Sequence, residues 1–151
     1  MSVKVTGMRD FKFAIRKLGD SFSDAVEKGT FATASEIRTY AIKSIQQVSS
    51  GNQTSRSRQG GGTYTHIAAA AGQAPNTDTG LLVNSIAVDK IGSATYTVGS
   101  GLPYASWLEF GTKKKKIKAR PWLMPASRAN RNNLVSNISE VVNLYIARLP
   151  K

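Results

Sequence analysis

Apolar residues recur at every third or fourth position across much of residues 8–48 of this 151-residue chain. Because one turn of an α-helix takes 3.6 residues, this spacing gathers the apolar side chains on one face of a helix. The sequence therefore predicts a long amphipathic helix, which Gly29 and Thr30 can bend or interrupt, since an interior glycine costs about 1 kcal/mol relative to alanine. The members of this apolar stripe are Met8, Phe11, Ile15, Leu18, Phe22, Val26, Ile37, Ala41, Ile45 and Val48.

Residues 49–78 form a polar, glycine-rich stretch that contains no acidic residue before Asp78. This composition predicts a long flexible loop, and loops of this length in compact domains are usually functional or disordered. Arg56, Arg58 and His66 make the loop basic, and we expect it to dock against a partner.

Residues 81–100 predict a β-hairpin, because Ile86 and Val88 alternate with smaller or polar residues, as do Tyr96 and Val98. The turn between the two strands contains Gly92, which can adopt a positive φ angle. This hairpin is the one antiparallel sheet that the sequence predicts.

Two further helices complete the predicted fold. The stretch LPYASWLEFG predicts a short helix that ends at Gly111, and a last helix begins near Pro125 and stops at Pro150. We therefore expect a single α+β domain over residues 1–151. A small antiparallel sheet carries the long N-terminal helix, the short helix and the C-terminal helix packed on it.

The residues that could carry catalysis or hold a metal are sparse. The chain has no cysteine and one histidine, His66, so a thiolate zinc site, a disulfide framework and a cysteine nucleophile are excluded. The nine acidic residues are scattered without metal-ligand spacing. No stretch approaches the roughly 20 apolar residues that span a bilayer. We predict a protein that is not an enzyme, needs no cofactor or metal, and has no membrane partner.

Positive charge is concentrated in the last quarter of the chain. The net charge is +12, and residues 112–151 contain ten basic residues against one acidic residue, Glu140. Such asymmetry predicts a polyanionic neighbour, either DNA phosphates or an acidic protein surface. A solvated basic face that only aids solubility is the alternative.

The densest cluster of positive charge, within residues 113–120, predicts a flexible loop over residues 112–120. This loop is held between Trp107 and Trp122, which we expect to pack as core or interface anchors. Contact with phosphates would be independent of base sequence and sensitive to salt. Arg128 and Arg131, expected in the first turns of the last helix, are predicted to extend this surface. The predicted partner-facing or DNA-facing residues are Lys113, Lys114, Lys115, Lys116, Lys118, Arg120, Arg128 and Arg131.

Three short motifs resemble a known family. They are GQAPNTDTGLLVNSI, YASWLEFGT and, after a variable basic segment, ARPWLMPA. Their order is similar to that of the small tail-completion, or head–tail joining, proteins of tailed double-stranded DNA phages, although Trp122 stands where the family often has phenylalanine. The signature positions are Thr79, Gly80, Leu82, Ser85, Ile86, Tyr104, Ala105, Glu109, Gly111, Thr112, Arg120, Pro121, Trp122, Pro125 and Ala126.

The resemblance implies an α+β structural protein of the virion, made in the host cytoplasm and located at the neck between head and tail. It implies partners of three kinds: six or twelve copies of itself in a ring, head-completion or connector proteins, and tail-terminator or tail proteins. Non-specific contact with packaged DNA is a further expectation. The alternatives are a tail terminator or another neck ring protein, or a free nucleic-acid-binding module.

Two signature elements permit specific expectations about local structure. Glu109 is the one acid next to the lysines, so it could pair with Arg120 or with a basic residue of a neighbouring subunit, or lie exposed. Thr79 and Gly80 are expected to set a turn into the first strand of the hairpin.

Overall fold

The computed structural model describes the backbone of residues 8–114 and 116–148, and the side chains of these ranges from Arg16 onward. The first element is the predicted long helix, α1, which runs without interruption from Met8 to Gln46. Ala41 and Ile45 near its end are buried, whereas Leu18 and Phe22 are more than half exposed. The side chains of Met8, Phe11 and Ile15 lie outside the described residues. Among the described members of the stripe, those buried in the core lie in the second half of the helix.

Gly29 does not interrupt α1 because it serves a packing role. A Cβ atom at this position would lie 2.7 Å from the backbone nitrogen of Ile138 and 2.8 Å from its Cα. The last helix can therefore approach α1 closely only because this position has no side chain. Two polar contacts hold the crossing: Asn137 Nδ2 donates to Thr33 Oγ1 at 3.0 Å, and Asn133 Nδ2 donates to Glu36 Oε2 at 2.9 Å.

Two antiparallel hairpins follow α1, where the sequence predicted one. Strands β1 (Gln53–Ser57) and β2 (Thr63–Ile67) pair with each other, so the prediction of a loop over residues 49–78 is wrong for this part. The glycines at 60, 61 and 62 have positive φ angles and form the tip. Hydrophobic periodicity could not reveal this hairpin, because every β1 residue and much of β2 is exposed.

The second hairpin confirms the prediction for residues 86–100 but not for residues 81–85. Those five residues form a short helix, α2 (Leu81–Ser85), which buries Leu82 and Val83. Strands β3 (Ile86–Gly92) and β4 (Thr95–Ser100) pair antiparallel, with a register irregularity between Lys90 and Gly92. The positive φ angle in the turn falls on Ala94, not on Gly92.

Three helices complete the described chain. The short helix α3 spans Ala105–Phe110 as predicted, and two helices replace the predicted last helix: α4 (Leu123–Asn130) and α5 (Asn133–Ala147). The break coincides with the polar sequence Asn-Arg-Asn-Asn at residues 130–133, whose asparagine side chains favour caps and turns over a helix interior. Pro150 lies outside the described residues. The α+β class is confirmed, with two small sheets.

The buried core lies around the second half of α1, and α2, β3, α3, α4 and Trp122 contribute to it. Small side chains at the contacts allow the helices to approach α1 and the sheet closely. Its buried members are Ala41, Ile45, Leu82, Val83, Ile86, Ala105, Trp122 and Ala126.

Glu27 of α1 joins the helix to the β3–β4 turn. Its carboxylate accepts the Ala94 N–H at 2.7 Å and the Tyr96 hydroxyl, and it pairs with Lys90 Nζ at 2.5 Å. The Lys90 ammonium, then the Tyr96 hydroxyl and the Ala94 N–H, lower the pKa of Glu27 from 4.5 to about 2. These contacts favour the ionised carboxylate and tie the second hairpin to α1.

The Glu27 contacts should make part of the stability depend on pH. Because the folded pKa of Glu27 is lower than its unfolded pKa, this contribution is present above pH 4.5 and is lost as pH falls through about 2. We expect the Tm difference between wild type and Glu27→Gln to shrink as the pH is lowered through this range, as measured by circular dichroism. The matched control is Asp89→Asn, which removes an exposed carboxylate from the same hairpin. A difference that stays constant down to about pH 2 would contradict the assignment.

Candidate functional site

Glu109 connects α3 to the start of α4. Its side chain is buried, and its two carboxylate oxygens accept the backbone N–H groups of Trp122, Leu123 and Met124 at 2.8–2.9 Å. The first N–H groups of a helix lack partners within the helix, and a carboxylate at that end is favoured by the helix dipole. The expected pairing with Arg120 and the exposed alternative are therefore both wrong. Glu109 is an internal cap.

Arg120 also has an internal role. Its Nε donates to the carbonyl oxygen of Ala69 at 2.8 Å, and its backbone N–H donates to Leu108 O at 2.7 Å. The neighbouring Ala119 carbonyl accepts the N–H of Gly72 at 2.9 Å. These bonds attach the segment after the lysines to the end of the first hairpin and to α3. Arg120 thus differs from the lysines with which the sequence grouped it.

The lysine run forms a short hairpin, which we call the lysine hairpin (residues 112–118). Thr112 N–H donates to Ile117 O at 2.8 Å, and Ile117 N–H donates to Thr112 O at 3.1 Å. Gly111 makes this return possible, since a Cβ there would lie 2.7 Å from Ile117 O and its φ angle is +71°. Paired backbone at Thr112 and Ile117 therefore closes the loop that the sequence predicted over residues 112–120.

The lysines themselves face outward. Lys113, Lys114, Lys116 and Lys118 are exposed, and Lys115 lies outside the described residues. Among the side chains that the structure describes, no carboxylate pairs with any of the four. These four lysines are accessible to a ligand, and their contact with a partner or with DNA stays a prediction.

Asp78 gathers the basic residues of the first hairpin. It pairs with Arg56 at 2.6 Å, lies 3.6 Å from His66 Nδ1 and accepts the hydroxyl of Tyr64. The hydrogen bond to Asp78 raises the pKa of Tyr64. Arg58 stacks over the Tyr64 ring, 5.7 Å from its centroid. Sequence reasoning missed the roles of Asp78 and Tyr64, although Asp78 as the first acid after 41 residues was a visible signal.

A cleft of about 510 Å³ lies beside this cluster and brings several signature residues together. Gly80, at a φ angle of +79°, starts α2, so the predicted turn precedes a short helix rather than the strand. Pro121 is half-buried and Pro125 is exposed in the first turn of α4. The signature and basic residues that line the cleft are Arg56, His66, Thr79, Gly80, Leu82, Tyr104 and Arg120.

The two tryptophans differ in burial. Trp122 is 2% exposed and belongs to the core, as predicted, whereas Trp107 is 37% exposed on α3. Trp122 therefore anchors one end of the lysine segment in the core, whereas Trp107 at the other end is not buried in it. At the other end, Gly111 and Thr112 provide the backbone geometry described above.

Arg128 and Arg131 are exposed but do not lie where the sequence placed them. Arg128 is in the last turn of α4, and Arg131 is its C-cap residue. Because positive charge is favourable at a helix C-terminus, Arg128 agrees with the dipole of α4 instead of opposing it. Arg131 lies between the two helices, directly before Asn132, the N-cap residue of α5, so the helix dipoles give it no clear preference.

An apolar groove of about 400 Å³ lies between the first half of α1 and the end of α5. Leu18, Phe22 and Ile146 are each more than half exposed in it. Its full lining is Leu18, Gly19, Ser21, Phe22, Val142, Tyr145 and Ile146.

None of the described helices is long and apolar enough to cross a membrane. Within the same part of the chain, no group of three or more His, Asp or Glu side chains could hold a metal ion.

Comparison with known proteins identifies a family. The family model described as "Bacteriophage HK97-gp10, putative tail-component" matches residues 9–111, about two-thirds of the chain. The match ends before the lysine hairpin and the Arg-Pro-Trp motif. No curated protein and no solved structure matches the chain. The chain belongs to the HK97-gp10-like family, a family of bacteriophage tail components, and so to the structural proteins of the virion.

Proposed function

We propose that this tail component joins the head to the tail as a subunit of a ring at the neck of the phage particle. Its neighbours would be head-completion or connector proteins on one side and tail-terminator or tail proteins on the other. Six or twelve copies would form the ring. The role is structural rather than catalytic, in keeping with a family of tail components.

The apolar groove between α1 and α5, which none of the described residues covers, is the main support for this proposal. Contiguous exposed apolar surface on a soluble protein usually marks an interaction site. The groove presents Leu18, Phe22 and Ile146 to solvent, at 51%, 57% and 54% exposure. A subunit that is buried among neighbours in the particle needs such a surface, whereas a free monomer does not.

Two further exposed apolar side chains lie far from the groove. Phe110 of α3 is 72% exposed and Met124 of α4 is 44% exposed. These helices pack around Ile45, and Ile45 lies about 35 Å along α1 from Phe22 at 1.5 Å per residue. Closed rings use heterologous contacts, in which each subunit presents two different surfaces to its neighbours. An apolar groove and exposed apolar side chains distant from it support this mode of assembly.

Electron microscopy of particles made without this gene tests the joining role. We expect filled heads beside free, finished tails, and added purified protein should restore whole virions. Abnormally long tails would instead identify a tail terminator. Normal infectious particles would refute the neck role and favour a free nucleic-acid-binding module.

The same add-back assay tests the groove. Phe22→Asp should fold like wild type, because Phe22 is already mostly exposed, but restore at least about tenfold fewer virions, because a charge in an apolar contact is costly. The matched control is Val48→Asp, at a site that is 76% exposed and outside the groove. Equal restoration by both variants would show that the groove is not a contact surface.

A further inference from the structure

Two sets of basic residues in this protein have different tasks. In one group the charge is used inside the fold: Arg38 Nε donates to Ile86 O, Arg56 pairs with Asp78, and Arg120 Nε donates to Ala69 O. In the other group are the four described lysines of the lysine hairpin, for which the described part of the chain offers no carboxylate partner. Unlike these three arginines, the four lysines have no carboxylate partner within the described fold, so their charge is available to an external ligand.

The acids near the hairpin cannot neutralise these lysines. Glu109 is buried and committed to three N–H groups of α4. Asp78 is held by Arg56, Tyr64 and His66. Between Glu109 and Glu140 the chain contains no other acidic residue. The hairpin is therefore a local source of uncompensated positive charge.

A groove beside the lysine hairpin supplies space for a ligand. We call it the lysine groove, and its volume is about 510 Å³. One wall is made of small residues, which allow close approach to the backbone, and the other carries Lys116 and Lys118. Its lining is Gly51, Asn52, Ala68, Ala69, Ala70, Ala71, Lys116, Ile117, Lys118 and Arg120.

Two hydrogen bonds to backbone carbonyl oxygens hold the two walls of the lysine groove together. Gly72 N–H donates to Ala119 O at 2.9 Å, and the Arg120 side chain donates to Ala69 O at 2.8 Å. The Thr112–Ile117 bridge fixes the ends of the hairpin. A charged surface that is already in place loses less conformational entropy on binding than a free polylysine tail.

We propose that the lysine groove and the adjoining lysines, Lys113 and Lys114, bind the phosphodiester backbone of double-stranded DNA without reading base sequence. The lining of the lysine groove contains alanines and Ile117 but no aromatic side chain. Protein contact sites, in contrast, are centred on large apolar and aromatic residues. An anionic polymer of regularly spaced phosphates fits such a wall better than a folded acidic protein does. The biological meaning, contact with DNA that passes through the neck, rests on the proposed function.

The test measures binding of the purified full-length protein to two 30-base-pair duplexes of unrelated sequence by fluorescence anisotropy at several salt concentrations. We expect equal affinities for both duplexes and a linear fall of log K with log salt, with a slope of about −0.9 for each phosphate neutralised. The triple variant Lys114→Gln, Lys116→Gln, Lys118→Gln should weaken binding at least tenfold at about 0.1 M salt and reduce the slope magnitude by about 2.7.

The matched control removes three charges elsewhere, with Arg16→Gln, Lys17→Gln and Arg148→Gln. All three residues are exposed and lie on α1 or just after α5. This control should retain the wild-type slope. Equal losses in both triple variants would overturn the proposal, because net charge alone would then explain binding. An unchanged slope in the lysine variant, or a preference for one duplex, would also overturn it.

Add-back of the lysine variant to particles that lack the protein separates this proposal from the neck role. Loss of DNA binding with normal joining would leave both proposals standing. Retained DNA binding with failed joining would show that the lysines contact a protein and would refute DNA as the ligand. If wild-type protein binds DNA as expected but is not required for joining, the neck role fails and the DNA site remains.

Discussion

Replacing Glu109 with alanine should lower the free energy of unfolding by about 3 kcal/mol, because three N–H groups at the start of α4 lose their acceptor in a buried setting. The loss should appear as a Tm decrease of about 6–12 °C for a domain of this size. Thermal unfolding by circular dichroism measures it directly. Trp122, which lies at this junction and is buried, provides a local fluorescence signal.

Glu109→Gln distinguishes lost charge from lost volume. The amide keeps one carbonyl acceptor but replaces the second oxygen with a donor that faces N–H groups. We expect a loss of about 1–2 kcal/mol, between wild type and alanine. The matched control is Glu140→Gln, which removes an exposed carboxylate from α5 and should change the free energy of unfolding by less than about 0.5 kcal/mol. A wild-type Tm for Glu109→Ala would show that Glu109 does not cap α4.

Replacing Gly29 with alanine should destabilise the protein by about 2 kcal/mol, even though alanine is the better helix former. The added Cβ would lie 2.5 Å from Ile138 Cγ1, 2.7 Å from its nitrogen and 2.8 Å from its Cα. A side-chain atom can rotate away, but the two backbone atoms move only if α5 moves. Urea denaturation measures the loss. Because α5 lines the apolar groove, a shift of α5 should also change the shape of that groove.

Gly19 is the matched control because it lies in the same helix, and a Cβ added there would have no atom within 4 Å. Gly19→Ala should stabilise the protein by up to about 1 kcal/mol through helix propensity alone. Opposite signs at positions 19 and 29 would establish the close α1–α5 contact. Adding Ile138→Ala to Gly29→Ala should restore stability only in part. Stabilisation by alanine at both glycines would refute the contact.

Sequence patterns that span only a few residues predicted α1 and the second hairpin well. The 3.6-residue apolar spacing placed the bounds of α1 to within two residues, and the period of two identified β3 and β4. The first hairpin was not predicted because its strands carry serine, threonine and arginine on exposed faces. The break between α4 and α5 escaped because the apolar spacing of α5 predicts a helix but does not mark where that helix begins.

The site was harder to predict because its contacts join distant parts of the chain. Glu109 accepts hydrogen bonds from backbone N–H groups 13–15 residues away. Because these donors belong to the backbone, the amino-acid types at those positions do not reveal them. Arg120 reaches a carbonyl 51 residues away for the same reason. Sequence could group these residues with the lysines by charge and proximity, but it could not assign their partners.

Local sequence was sufficient to predict the long helix, the second hairpin, the family resemblance and the position of the excess positive charge. Each of these depends on composition or on spacing between near neighbours along the chain. The division between charges that serve the fold and charges that face outward emerged only from the folded chain. Arg56, Arg120 and Glu109 find partners that folding brings near, whereas the described lysines of the hairpin do not. Burial and hydrogen bonding depend on contacts between distant segments, so they cannot be deduced from local spacing.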